Sequence, residues 1–186
     1  MTRNLTAMRR LAAIVVVLAC VNAAGCGGDD KGRGDVAPKA WAAEVCAALK
    51  PWRTEIGALT TSAQQQMSAA KNAGQAKTSL VKLLTGAQAA SEQARVAVEK
   101  AGAPEVDNGR SIAAEFTASL ARSRDAYGRA KASVEALPTR DDKAFYDGVQ
   151  AAFTTLNSEY AATGADPSKV GSQALQQAFA EEPACR

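Results

Sequence analysis

From Trp41 to Phe179 the apolar side chains recur at steps of three and four residues, the interval of one face of an α-helix. The first stripe is Trp41, Val45, Ala48, Trp52, Ile56, Leu59, Ala63 and Met67. Pro38 suits its first turn, where a missing N–H costs nothing. Pro51 lies inside the pattern and predicts a kink, because it lacks an N–H and its ring clashes one turn back. Asn72-Ala73-Gly74 reads as a left-handed stop.

A second stripe runs Leu80, Leu84, Ala87, Ser91, Ala94, Val98, and Gly102 and Pro104 end it. The third is Ala113, Phe116, Leu120, Ser123, Tyr127, Ala130, Val134, Leu137, with Asp107-Asn108-Gly109 as its lead-in turn. Its steps alternate three and four throughout, as in the packing of left-handed bundles. Thr139 with Asp142 reads as a capping box opening a fourth helix, whose stripe is Phe145, Val149, Ala152, Phe153, Leu156, Tyr160. Thr163-Gly164 closes that helix. Asp166-Pro167 then opens a short fifth helix carrying Val170, Leu175 and Phe179, before Pro183 and Cys185. No alternating strand pattern occurs. The expectation is an all-α domain over residues 38–186: an antiparallel up-down four-helix bundle with a short fifth C-terminal helix.

Composition strengthens that reading. Forty-three of the 186 residues are alanine, the best helix former, while aromatics make up only 5%. The shortage of aromatic and β-branched residues argues against a β-sandwich or barrel. There is no histidine, so the usual proton shuttle and the commonest metal ligand are both missing. Alanine at facing positions lets helices approach near the lower end of the usual 8–10 Å spacing. Little interior room for a ligand is then expected.

The first 25 residues have a different character. Arg3, Arg9 and Arg10 precede an apolar run from Leu11 to Ala24 that ends in small residues before Cys26, the order of an export signal. At about 14 residues the run is short of the roughly 20 that span a bilayer as helix. Arg9-Arg10 leaves the twin-arginine route open beside the general one, and Met8 is an alternative start. Removing the three leader arginines from the 22 Lys+Arg leaves 19 against 19 Asp+Glu, a neutral mature chain. The whole-chain charge of +3 therefore carries no sign of nucleic-acid binding.

Four cysteines, Cys20, Cys26, Cys46 and Cys185, bear on where the leader ends. Ala23-Ala24-Gly25-Cys26 resembles a bacterial lipobox, with alanine where leucine is most usual. Val17-Leu18-Ala19-Cys20 is a rival, and ordinary cleavage after Ala23 is a third option. Acylation of Cys26 removes Cys20 with the leader and leaves Cys46 and Cys185 as an even pair. Both alternatives leave a free thiol in an exported protein, which oxidising compartments disfavour. Parity therefore favours Cys26 as the lipidated residue and a Cys46–Cys185 disulfide. A disulfide closing so long a loop stabilises by about 4–5 kcal/mol on chain-entropy grounds. Residues 26–37 then form a flexible tether, Gly- and Asp-rich, with a root-mean-square reach of roughly 20 Å.

Candidate chemistry is sparse. Gly109-Arg110-Ser111-Ile112-Ala113 echoes a nucleophile elbow but has neither the preceding strand nor a histidine partner, so Ser111 reads as an exposed first-turn residue. Asp141, Asp142 and Asp147 lack calcium-loop spacing, and the first two suit a helix dipole. Glu181-Glu182 reads as a solvated face, and Arg33-Gly34-Asp35 as chance within a linker. No metal site, cofactor or catalytic residue is expected. Trp41 and Trp52 share a face three turns apart. Core packing beside the disulfide is the favoured reading for them, and a ligand-binding end is the alternative. Ser91 and Ser123 either line a polar cavity or bond a carbonyl one turn back.

The lipobox, Trp41…Cys46…Pro51-Trp52, Pro104-Glu105-Val106-Asp107-Asn108-Gly109 and Pro183-Ala184-Cys185 together resemble small helical lipoproteins of high-GC actinobacteria. That resemblance implies an extracytoplasmic anchor and brings no activity with it. The expectation is a non-enzymatic binding or accessory module. It is held at the outer face of the cell membrane by its lipid and partnered by another envelope protein. The alternative is a small-molecule or lipid-binding protein using Trp41 and Trp52. Oligomeric state leaves no mark in these patterns.

Overall fold

The computed structural model describes residues 35–162 and 171–185. Among them stand five α-helices: α1 (Pro38–Ala69), α2 (Ala73–Lys100), α3 (Gly109–Ala136), α4 (Asp142–Ala161) and α5 (Gln173–Glu181). A 3₁₀ turn at Pro183–Cys185 follows α5. The described residues contain no strand, and one isolated parallel bridge joins Val36 to Pro104.

The helix ends follow from local chemistry, with some differences from expectation. α1 carries Pro38 in its first turn and runs on through Pro51 unbroken. Asn72 is not a left-handed stop. Its backbone is extended and its Oδ1 accepts the Gln75 N–H, so it caps the start of α2. Gln75 reciprocates by accepting the Lys71 N–H at 2.8 Å. Asparagine suits either role, and the extended Ala70 had already ended α1. Asp141, rather than Thr139, caps α4 by accepting the Ala144 N–H at 3.0 Å. Asn108 adopts φ 59°, which makes the tight turn into α3. Gly102, at φ 77°, ends α2 as expected.

Thr163, Gly164, Asp166, Pro167 and Val170 lie outside the described residues. The described fifth helix starts later, at Gln173 after Ser172, and its buried residues are Leu175, Ala178 and Phe179.

Consecutive helices pack as α1 on α2, α2 on α3 and α3 on α4, while α5 lies against α1. Contacts across the first two of these pairs run in opposite senses. Trp41 meets Gly102 and Trp52 meets Ser91, so α1 and α2 are antiparallel. Glu92 meets Arg124, and Lys77 meets Leu137, so α2 and α3 are too.

Two apolar clusters result. One joins Trp41, Val45 and Leu49 of α1 with Val98, Phe116, Leu120, Leu175 and Phe179. The other joins Leu80 and Leu84 with Tyr127, Val134, Phe145 and Leu156. α2 and α3 are long enough to serve both clusters. α4 covers one and α5 the other, which is why α1 buries a second stripe, Ala42, Cys46 and Leu49, beside the expected one.

Candidate functional site

The chain enters the fold at one pole. Val36 donates its N–H to the Ala103 carbonyl at 2.8 Å and accepts from the Glu105 N–H at 2.7 Å. Val36 and Ala37, expected to be tether, thus belong to the folded body. Beside them Trp41 is wholly enclosed. Its ring meets Phe116 edge-on with centroids 5.4 Å apart, and Phe179 at 5.8 Å. Phe116 and Phe179 stack at 5.9 Å. The Trp41 indole N–H donates to the Gly102 carbonyl at 2.9 Å, so the buried ring has no unpaired polar atom.

Cys46 and Cys185 stand as a disulfide at the same pole, with Cα atoms 5.0 Å apart and a sequence separation of 139. The Cα spacing is within the range a disulfide needs. Cys46 is buried among the α1 residues that face α5, and Cys185 is half-buried. The proposed lipid carrier Cys26, its rival Cys20 and the tether up to residue 34 lie outside the described residues.

Trp41 is therefore core, with no part of its side chain exposed. Trp52 sits about three turns further along, donating its indole N–H to Ser91 Oγ at 3.0 Å. Its edge reaches a cleft of about 480 Å³ between α1 and α2, whose walls include Ala48, Pro51, Gly86, Ala89 and Ala97. The two tryptophans share a helix face but not an opening. Ser91 and Ser123 bond the carbonyls of Ala87 and Ser119, one turn back, and so fill narrow helix contacts.

A second cleft, of about 550 Å³, lies over Ala113, Ala114, Thr117 and Ala121 of α3 and is rimmed by Arg95, Arg110 and Arg124. These cations are committed elsewhere. Arg95 is held by Glu92 at 2.8 Å and by Glu99 at 3.0 Å. Arg124 bonds Glu92 at 2.8 Å and Asp125 at 2.7 Å, and Arg110 lies 3.9 Å from Asp35. The two guanidiniums hold the Glu92 carboxyl down at about 2. The cleft is consequently neutral rather than anion-seeking.

A third opening, of about 400 Å³, is a more apolar valley in the other half of the fold, between Ala63 and Met67 of α1, Leu80 and Leu83 of α2, and Phe153 of α4. Nearby, burial pushes the Tyr127 hydroxyl up to about 12.

The remaining singled-out residues have ordinary surroundings. Ser111 is exposed in the first turn of α3. Asp147 pairs with Lys143 at 2.6 Å, and Glu181 with Lys39 at 3.8 Å. The Glu182 carboxylate accepts the Ala184 N–H at 3.0 Å. Among the described residues no group of three or more His, Cys, Asp or Glu converges, and no helix is long and apolar enough to cross a membrane. Sequence reasoning missed the Trp41–Phe116–Phe179 cluster and the Glu92–Arg95–Arg124 network. Each joins residues from two or three helices, so only the tertiary register brings them together.

No protein-family profile matches the chain, and neither a curated protein nor a solved structure is significantly similar to it.

Proposed function

We propose that this chain is an exported lipoprotein, acylated on Cys26. Its helical body serves as a non-enzymatic binding or accessory module at the outer face of the cell membrane. The supporting observation is the pairing of Cys46 with Cys185. With those two sulfurs joined, Cys26 is the one remaining thiol downstream of the apolar leader, and Ala23-Ala24-Gly25 before it resembles a lipobox apart from alanine at the usual leucine position. Acylation removes that thiol from an oxidising milieu. The motif resemblance to small helical lipoproteins of actinobacteria is part of the same proposal. In it α1 to α4 form an up-down four-helix bundle, with α5 completing the fourth position at the pole that α4 does not reach.

Intact-mass measurement of the mature protein tests the proposal. A mass beginning at residue 26, with a diacylglyceryl group and two hydrogens fewer than the dithiol form, is the expected result. A mass beginning at residue 24, without lipid, overturns it. Co-purification from detergent-solubilised membranes then identifies the envelope partner.

A further inference from the structure

We infer that the protein meets the bilayer with its disulfide-clamped pole and holds its opposite pole, at turns 70–72 and 137–141, away from the membrane. This rests on the acylated Cys26 proposed above, and adds which surface is left for a partner. The chain enters the described fold at the clamped pole, because the two backbone bonds of Val36 pin it to the α2–α3 connection. About nine residues separate Cys26 from Asp35, and fully extended they span at most roughly 30 Å. The poles are separated by α2 and α3, each of 28 residues. Helices of that length measure about 42 Å. An inverted body, standing on its far pole, would need a tether longer than the chain supplies.

A body lying on its side is the other alternative. Helices that adsorb to a bilayer do so through a broad apolar face flanked by unpaired cations. The long sides here offer no such broad apolar face, and their exposed cations without a carboxylate partner among the described residues, Lys50, Arg53 and Lys82, flank none. The large apolar residues exposed among the described ones are Tyr146 and Tyr160. Arg95, Arg124, Arg129 and Lys143, spaced along α2, α3 and α4, each hold a carboxylate at 2.6–3.0 Å. The described residues carry 15 Lys+Arg against 16 Asp+Glu, so the body has no net pull toward anionic headgroups. The surface left for a partner is thus the outward pole, with the apolar valley between α1 and α4 in the same half.

Energy transfer to the membrane surface tests this. The full-length acylated protein is reconstituted in phosphatidylcholine–phosphatidylglycerol vesicles that carry a headgroup acceptor. A donor fluorophore is placed at position 105 or 71 through a non-canonical amino acid, so that no new thiol is added. Glu105 and Lys71 are both exposed and lie at opposite poles. The donor at 105 is expected to lose most of its emission and the donor at 71 to keep most of it. Equal quenching, or stronger quenching at 71, overturns the orientation while the protein still floats with vesicles and carries its lipid mass. Protein that neither floats nor carries that mass overturns the Cys26 reading itself, and the orientation with it.

Discussion

The indole N–H of Trp52 donates to the Ser91 hydroxyl at 3.0 Å, and that hydroxyl donates onward to the Ala87 carbonyl at 2.8 Å. Both residues are buried, and one serine settles the polar needs of an aromatic ring on the neighbouring helix. Among the described residues no buried side-chain nitrogen or oxygen lacks a partner. Ser91→Ala keeps helix propensity but leaves the indole N–H with no acceptor in an apolar contact. The expected cost is about 1–3 kcal/mol. Urea denaturation followed by tryptophan emission measures it, and an unchanged midpoint would show that the bond contributes nothing net.

Gly109→Ala is expected to destabilise, although alanine normally favours a helix start over glycine. A Cβ at this position would collide with the Pro104 carbonyl oxygen, which is backbone and has nowhere to turn. The cost is about 1–3 kcal/mol or more. Its neighbour Asn108 holds φ 59°, so Asn108→Gly should be close to neutral, while Asn108→Val should cost about 1–2 kcal/mol. Thermal melts of the three variants give the ranking. A stabilised Gly109→Ala would show that the α2–α3 connection relaxes freely.

How far the sequence reveals this fold depends on how many neighbours each helix has. In the α3 stripe every position from Phe116 to Val134 is buried, because a single apolar face carries the signal. In α1 the stripe was only half the story. Ala42, Cys46 and Leu49 form a second buried row, which a single-face reading passes over, because α5 packs there from far along the chain. Asn72 was misplaced because its side chain suits a helix stop and a helix start equally well, and only the backbone angles decide. The cysteine pair was expected for a chemical reason: were Cys20 to leave with the leader and Cys26 to be acylated, two cysteines would remain to pair, and Cys46 and Cys185 do stand together. Candidate openings were not legible. They arise where alanine and glycine leave space between helices, and small side chains carry no ligand signature.

Glu92 supplies a pH dependence. Hydrogen bonds from Arg95, then from Arg124, lower its carboxyl from the usual 4.5 to about 2. A folded-state value below that of the unfolded chain stabilises fully above about pH 4.5 and is lost as pH falls toward 2. Glu92→Gln should therefore lower the urea midpoint at pH 7, with the gap to the parent closing between pH 4.5 and 2. A gap that stays constant across that window would assign the loss to packing rather than charge.

The hold on α5 should prove cooperative. The helix has nine residues and is kept on α1 by two devices, the buried Phe179 ring and the Cys46–Cys185 bond. Nine residues are too few to stay helical alone in water. Phe179→Ala removes a large core ring at a cost of about 3–5 kcal/mol. Replacing both cysteines by alanine costs about 2–5 kcal/mol. If the two devices secure one unit, losing both lets α5 leave the surface while α1, α2 and α3 remain folded. The combined loss is then smaller than the sum of the two, since an undocked segment no longer contributes to global unfolding. Hydrogen exchange reads the difference directly. In the triple variant the amides of residues 174–181 should lose protection while those of α2 keep it. Additive costs with α5 still protected would mean that Leu175 and Ala178 suffice to hold it.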